Sequence, residues 1–235
     1  MPQLVFLKPK GGLGNQLFQL AAALTFKGQI FIFPTANKHS GRDYRPLFGA
    51  HPIDSPMITE HTYFQTDAFE AFDPKDFPYT SITLDGYFQN YPSIKSVIPT
   101  IRTLFTQIQL YEDYAFLHVR RGDYLQYSDI HYNLPQTYYE SALTLLNHDK
   151  ILVFSDDPLW CGKQAWLNKY TMVNEPDELS SLRMMASCKK GAIIANSTFS
   201  WWGAMLSGCD TVFYPSRWIS GATPDLFPQS WTRVD

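Results

Sequence analysis

The chain has 235 residues and a mass of 27.0 kDa, room for one large domain or two of roughly 110 residues each. Hydrophobic residues make up 45% and charged residues only 17%, against about 25% charged in an ordinary globular chain, which excludes a disordered protein. A formal net charge of -3 excludes a nucleic-acid binder working by bulk charge, but it leaves room for a local basic site that holds one small anion.

The amino end carries a short apolar stretch, Leu4–Leu7, followed by Lys8 and Lys10. This is no signal peptide, and no apolar run approaches the ~20 residues a spanning helix needs, so a soluble cytoplasmic protein is expected. Leu4–Lys8 reads as a strand. Gly11, Gly12 and Gly14 follow, and then Leu13, Leu17, Leu20, Ala21 and Leu24 recur at helical spacing to about Lys27. Ile30–Phe33 is a second strand, stopped by Pro34. Residues 34–81 are polar and punctuated by proline, with no legible element. Ile82–Gln89 alternates like a strand. Ser93–Ile108 reads as a helix capped by Ser93, although Pro99 disfavours an unbroken one.

A second series starts near Tyr114. Ala115–Val119, Ile151–Phe154, Gly191–Ala195 and Thr211–Tyr214 read as strands, the last of them closing the series. Pro135–Leu146, Asp177–Cys188 and Phe199–Leu206 read as helices. The alternation predicts a doubly wound α/β domain at 114–235 and a smaller α/β domain at 1–113.

Four motifs sit where strands end, the places at which α/β sheets bind ligands. Gly11-Gly12-Leu13-Gly14-Asn15-Gln16 opens a helix, as a dinucleotide fingerprint does. Leu17 occupies the third glycine position and no carboxylate follows Phe33, so NAD binding is demoted. A tight glycine turn with free amides and the Asn15 side chain remains, usable for an anion. His118-Val119-Arg120-Arg121-Gly122-Asp123-Tyr124 places His118 and Arg120 on one face, and paired guanidiniums match a diphosphate. The competing reading is an Arg–Asp pair that anchors the loop. Asn196-Ser197-Thr198-Phe199-Ser200 leads a strand into a helix, where hydroxyls and first-turn amides form an anion cradle or an ordinary cap. Phe154-Ser155-Asp156-Asp157-Pro158 offers either a carboxylate for a base or ribose, or a capped turn.

Other chemistries find little support. Cys161, Cys188 and Cys209 are odd in number and lack CxxC spacing, so they read as buried small hydrophobes. His39, His51, His61, His118, His131 and His148 form no metal pair, and no G-x-S-x-G or DxD triplet occurs.

GGLGNQLFQ at 11–19, GYFQN at 86–90, HVRRGDY at 118–124, LPQTYYESAL at 134–143, FSDD at 154–157 and ANSTFSWWGA at 195–204 together resemble the α-1,2-fucosyltransferases of glycosyltransferase family 11. The resemblance spans nearly the whole chain. It implies a GT-B fold of two Rossmann-like domains facing a cleft, the amino-terminal one shortened. It also implies a GDP-fucose donor and an inverting, metal-independent transfer to a galactose-type hydroxyl of a glycan. Kinship with other fucosyltransferases implies that Arg120 contacts the donor phosphates, that His118 lies near the nucleotide, and that Thr198, Phe199 and Ser200 form a phosphate loop. The acidic residue that reads guanine in relatives falls by count at Ser181, with Glu178 one turn earlier. The catalytic set expected is Arg120, Arg121 and Asp123, and the donor-binding set Asn15, His118, Asp156, Ser197, Thr198, Phe199 and Ser200, with no metal and no cofactor beyond the donor. Asp123 serves either as base or as a clamp on the arginines, Asp129 and His131 compete for the base role, and a mechanism without a strong base stays open. The alternatives are a transferase of another GDP-sugar and a binding module without turnover. The intact HVRRGDY argues against the latter.

Overall fold

A computed structural model describes residues 2–34, 42–53, 57–105, 110–127, 131–219 and 224–235. The chain divides into two compact units, residues 1–104 and 105–235. The sequence places the change near residue 113. The α/β class and the two Rossmann-like units expected from the sequence are both present.

In the first unit, β1 (Leu4–Leu7) runs through the glycine turn into α1 (Leu13–Thr25), then β2 (Gln29–Ile32), α2 (Arg45–Phe48), β3 (His51–Pro52), β4 (His61–Phe64) and β5 (Ser81–Asp85). The helices α3 (Tyr91–Ile94) and α4 (Ile98–Thr103) complete it. All five strands are parallel in the order β3-β2-β1-β5-β4. The winding direction therefore reverses between β1 and β5.

In the second unit, β6 (Ala115–Val119), α5 (Gln136–Leu146), β7 (Ile151–Ser155), α6 (Pro158–Cys161), β8 (Thr171–Met172), α7 (Glu178–Ser187), β9 (Ala192–Ile193), α8 (Thr198–Ser207), β10 (Val212–Pro215) and β11 (Thr232–Val234) alternate. Its parallel sheet has the order β11-β10-β9-β6-β7-β8, with the reversal between β6 and β9. Every residue of β6 is buried, because both faces of the sheet are covered. Ala115, Leu117 and Val119 point into a cluster with Tyr138, Tyr139 and Ala142 of α5. Phe116 and His118 point the other way, towards Gly203 and Phe199 of α8. Each fully buried aliphatic or aromatic side chain contributes about 1.5–3 kcal/mol. A Cβ on Gly203 would lie 2.7 Å from Met185 Sδ and 3.3 Å from Phe116 Cζ, so its missing side chain is what lets α8 lie against both α7 and β6. Cys161 and Cys188 are buried as expected of small hydrophobes, while Cys209 is only partly so.

Several elements differ from the sequence reading. The strand expected over 82–89 ends at Asp85, where the chain turns at Gly86. The helix expected over 93–108 is broken into α3, a 3₁₀ turn at Lys95–Val97 and α4, with Pro99 in the first turn of α4. Residues 106–109 lie outside the described residues. Its cap is Asn90, whose side chain accepts from the Ser93 N–H, while the Ser93 hydroxyl accepts from Phe72 N–H. The strands β3, β4 and β8 are additional, and β11 follows the strand expected to be last.

Candidate active site

A parallel sheet binds ligands beyond the carboxyl ends of its strands where the order reverses. In the second unit that point lies beyond β6 and β9. These two strands run directly into HVRRGDY and ANSTFS, so topology brings the two motifs together.

Arg120 emerges from the end of β6 with both flanks held. Its Nη2 donates to Asp123 Oδ1 at 2.7 Å, and its Nε lies 3.0 Å from Asp156 Oδ2, an ion-pair distance without hydrogen-bond alignment. The guanidinium sits 5.3 Å from the Tyr124 ring centre. Its third nitrogen, Nη1, has no partner among the described residues. Arg121 turns elsewhere. Its backbone N–H donates to Asp156 Oδ1 at 2.9 Å, its Nε to Asp157 Oδ2 at 3.3 Å, and its guanidinium stacks 3.9 Å from the Trp160 ring centre. Asp156 thus ties the two arginines together. A Cβ on Gly122 would sit 2.6 Å from Asp156 Oδ2, so only glycine admits that carboxylate. Asp157 caps α6 by accepting from Trp160 N–H at 3.0 Å. The acceptor capacity expected of Asp156 towards a base or ribose is committed first to the arginine loop, and the capped turn before Pro158 is present.

His118 is 3% exposed, and its Nδ1 is buried without a hydrogen-bond partner among the described residues. Burial, with the Arg120 charge adding to it, pushes its pKa down to about 3, so the imidazole is neutral. Its ring lies 5.8 Å from that of Phe199.

Ser197 caps α8, its hydroxyl accepting from Phe199 N–H at 3.4 Å. The first intrahelical bond runs from Trp201 N–H to Ser197 O, so the amides of Thr198, Phe199 and Ser200 all precede it and give the helix its positive end. Ser200 itself is fully buried, and its hydroxyl lies 3.4 Å from Ala195 O and 3.3 Å from Ser197 O. Its usable group is the backbone amide and not the hydroxyl expected from the sequence.

Tyr124 and Asn196, to which the sequence gives no role, lock the two loops together. The Tyr124 hydroxyl donates to Asn196 O at 2.8 Å, and Asn196 Nδ2 donates to Tyr132 O at 2.8 Å and Trp218 O at 3.1 Å. Burial pushes the Tyr124 phenol up to about 12, which keeps it a donor. Membership of the quoted motifs is the only signal that could have found them.

Glu178 opens α7 with Oε1 buried and unpartnered among the described residues, whereas Ser181 gives its hydroxyl to Glu175 O at 3.2 Å. Among the described residues no three His, Cys, Asp or Glu side chains group as a metal site, and no helix is long and apolar enough to cross a membrane. Asp129 lies outside the described residues.

Asn15 belongs to the first unit. There Gly11 adopts a left-handed φ of 69°, and Gln89 Nε2 donates to Asn15 Oδ1 at 3.1 Å. Gln16 Nε2 donates to Gly11 O, and Gln19 exchanges two hydrogen bonds with the Lys10 backbone, all at 2.9 Å. Lys8 and Lys10 both pair with Asp85.

Residues 93–219 match the model of glycosyl transferase family 11. The O-antigen biosynthesis glycosyltransferase WbnK of Escherichia coli is 40% identical, with 95% of this chain and 98% of WbnK covered. That alignment runs over 298 positions, more than this chain's own length, so WbnK carries segments absent here. An alpha-1,2-colitosyltransferase of Escherichia coli is 28% identical over 66% of this chain and 63% of its own length. NodZ alpha-1,6-fucosyltransferase soaked with GDP-fucose superposes with a TM-score of 0.54 at 12% identity, covering 88% of this chain and 93% of NodZ. NodZ from Bradyrhizobium gives the same TM-score at 13% identity, covering 88% of this chain and 94% of its own, and the likeness shows a shared fold. On the family match and the 40% identity across nearly all its length, the chain belongs to glycosyl transferase family 11.

Proposed function

We propose that this glycosyltransferase moves L-fucose from GDP-fucose to a galactose-type hydroxyl of a glycan, forming an α-1,2 linkage with inversion at the anomeric carbon. Residues 105–235 hold the donor and residues 1–104 bind the acceptor. The observation that carries this reading is Arg120, clamped between Asp123 and Asp156 beside neutral His118 and the amino end of α8.

Three carboxylates, Asp123, Asp156 and Asp157, face the two guanidiniums of Arg120 and Arg121, so bulk attraction does not explain diphosphate capture. Directional groups do: the Arg120 Nη1 edge and the positive amino end of α8. As the anomeric C–O bond breaks, its electron pair leaves with GDP, and these preorganised donors receive the charge. One such contact is worth about 2.7–4 kcal/mol. They do so without a metal. Glu178, whose buried Oε1 lacks a partner among the described residues, accepts from guanine, because Asp156 and Asp157 are occupied and Ser181 faces a backbone carbonyl. Asp123 acts by holding Arg120.

A second reading keeps the same site and exchanges the sugar. The relative named alpha-1,2-colitosyltransferase supports a different GDP-linked deoxysugar. Incubation with GDP-fucose and a panel of β-galactosides, read by mass spectrometry, tests the first reading. Fucosylated product supports it. GDP bound without transfer from GDP-fucose to any galactoside overturns it in favour of the second.

A further inference from the structure

Around Arg120, the side chains that could take a proton are either engaged by a partner or sealed away from substrate. Asp123 and Asp156 hold the Arg120 guanidinium, and Asp157 caps α6 while pairing with Arg121. Tyr124 donates to a backbone carbonyl, and His118 is sealed inside the sheet. His131 is the exception.

The His131 backbone N–H is fixed to Tyr127 O at 2.9 Å, which closes the loop back on itself. Its imidazole lies flat on the Tyr124 ring, with centroids 4.0 Å apart and planes 5° from parallel. The Tyr124 ring is the one beneath the Arg120 guanidinium, so His131 and Arg120 share one aromatic support. Neither ring nitrogen of His131 has a hydrogen-bond partner among the described residues, and Nδ1 is shut away from solvent. The half-buried ring therefore has one open nitrogen, Nε2.

We infer that His131 is the base that takes the proton of the acceptor hydroxyl, an inference that rests on the fucosyl-transfer reading above. The acceptor oxygen forms its bond to the anomeric carbon while the bond from that carbon to the diphosphate oxygen breaks. The leaving electron pair goes to GDP, and the hydroxyl proton goes to Nε2 of the Nδ1–H tautomer. The imidazolium then returns the proton to solvent, so the sum is GDP-sugar plus alcohol giving glycoside, GDP and a proton. The charged groups facing the ring are Asp123 and Arg120. Asp123 favours the imidazolium and Arg120 opposes it. Burial is the larger influence and lowers the pKa, so the ring is unprotonated and ready to accept at neutral pH.

The test compares the whole chain with His131→Phe, which preserves the stacked ring, and His131→Ala, using GDP-fucose with lactose and N-acetyllactosamine. General-base loss predicts a fall in transfer of about 10²–10⁴-fold in both variants. GDP affinity and hydrolysis of GDP-fucose to fucose stay near wild type, and imidazole partly rescues His131→Ala. The wild-type kcat falls on an acid limb that lies below the ordinary imidazole value of about 6.5, and His131→Phe loses that limb. Near-normal transfer by His131→Phe would overturn the inference. So would a parallel loss of GDP affinity in both variants, which assigns His131 to the arginine support instead. A wild-type chain that binds GDP but transfers fucose to neither galactoside overturns the parent reading and this inference with it.

Discussion

At the β1–β5 reversal of the first unit the loop side chains are amides and lysines that satisfy one another: Asn15 with Gln89, Gln16 and Gln19 with the glycine-turn backbone, Lys8 and Lys10 with Asp85. At the β6–β9 reversal of the second unit, polar groups remain without partners. Arg120 Nη1, His118 Nδ1 and both nitrogens of His131 lack them among the described residues. Both points are order reversals in a parallel sheet, so a reversal alone does not decide where a charged ligand binds. A buried polar group without a partner costs about 1–3 kcal/mol, and that cost falls on the second reversal point. The glycine turn of the first unit resembles a nucleotide loop in sequence, yet its side chains are arranged to hold the turn.

The comparison breaks most visibly at Arg120. Arg120→Ala is expected to lower transfer by about 2.7–4 kcal/mol, a loss of 10²–10³-fold, with far-ultraviolet circular dichroism unchanged. Turnover within a few-fold of wild type in a folded variant would remove Arg120 from the site.

Next in size is the packing beneath the site. Gly203→Val drives new atoms into Met185 and Phe116, and the expected cost is about 1–3 kcal/mol in urea unfolding. An unchanged midpoint would mean that α8 is not pinned against β6.

The His118 effect is smaller and depends on pH. In the folded chain the imidazole stays neutral down to about pH 3, whereas in the unfolded chain it takes a proton near 6.5. Between those values the unfolded state binds one more proton, so stability declines as pH falls, by up to about 1.4 kcal/mol per unit. Chemical denaturation at pH 7 and pH 5 should show a steeper loss in wild type than in His118→Gln. Equal slopes would place His118 in a hydrated setting.

The smallest effect sharpens the contrast. Asn15→Ala and Gln89→Ala are expected to leave GDP affinity within about twofold by calorimetry while raising acceptor KM. A tenfold loss of GDP affinity, about 1.4 kcal/mol, would move part of the donor site into the first unit.

Much of this was legible in the sequence for a physical reason. The strands β1, β6 and β7 are buried on both faces and read as continuous apolar runs, and the motifs follow them directly. The short strands β3, β8 and β11 hold two or three residues each, too few for any period to show. Asn90 displaced Ser93 as a cap because both residue types cap well and only the Phe72 contact tells them apart. Arg120 and Asp123 stood out by charge and spacing. The commitment of Asp156 to the arginine loop did not, because 35 residues separate it from Arg121 and only the β6–β7 pairing brings them together.

Hydrogen exchange with and without GDP tests the central claim most directly, because it reads both reversal points in one sample. The expected result is slowed exchange of amides at 120–127 and 196–201, with 11–16 and 86–90 unchanged. Protection confined to 11–16 and 86–90 would contradict the assignment of the donor to the second unit.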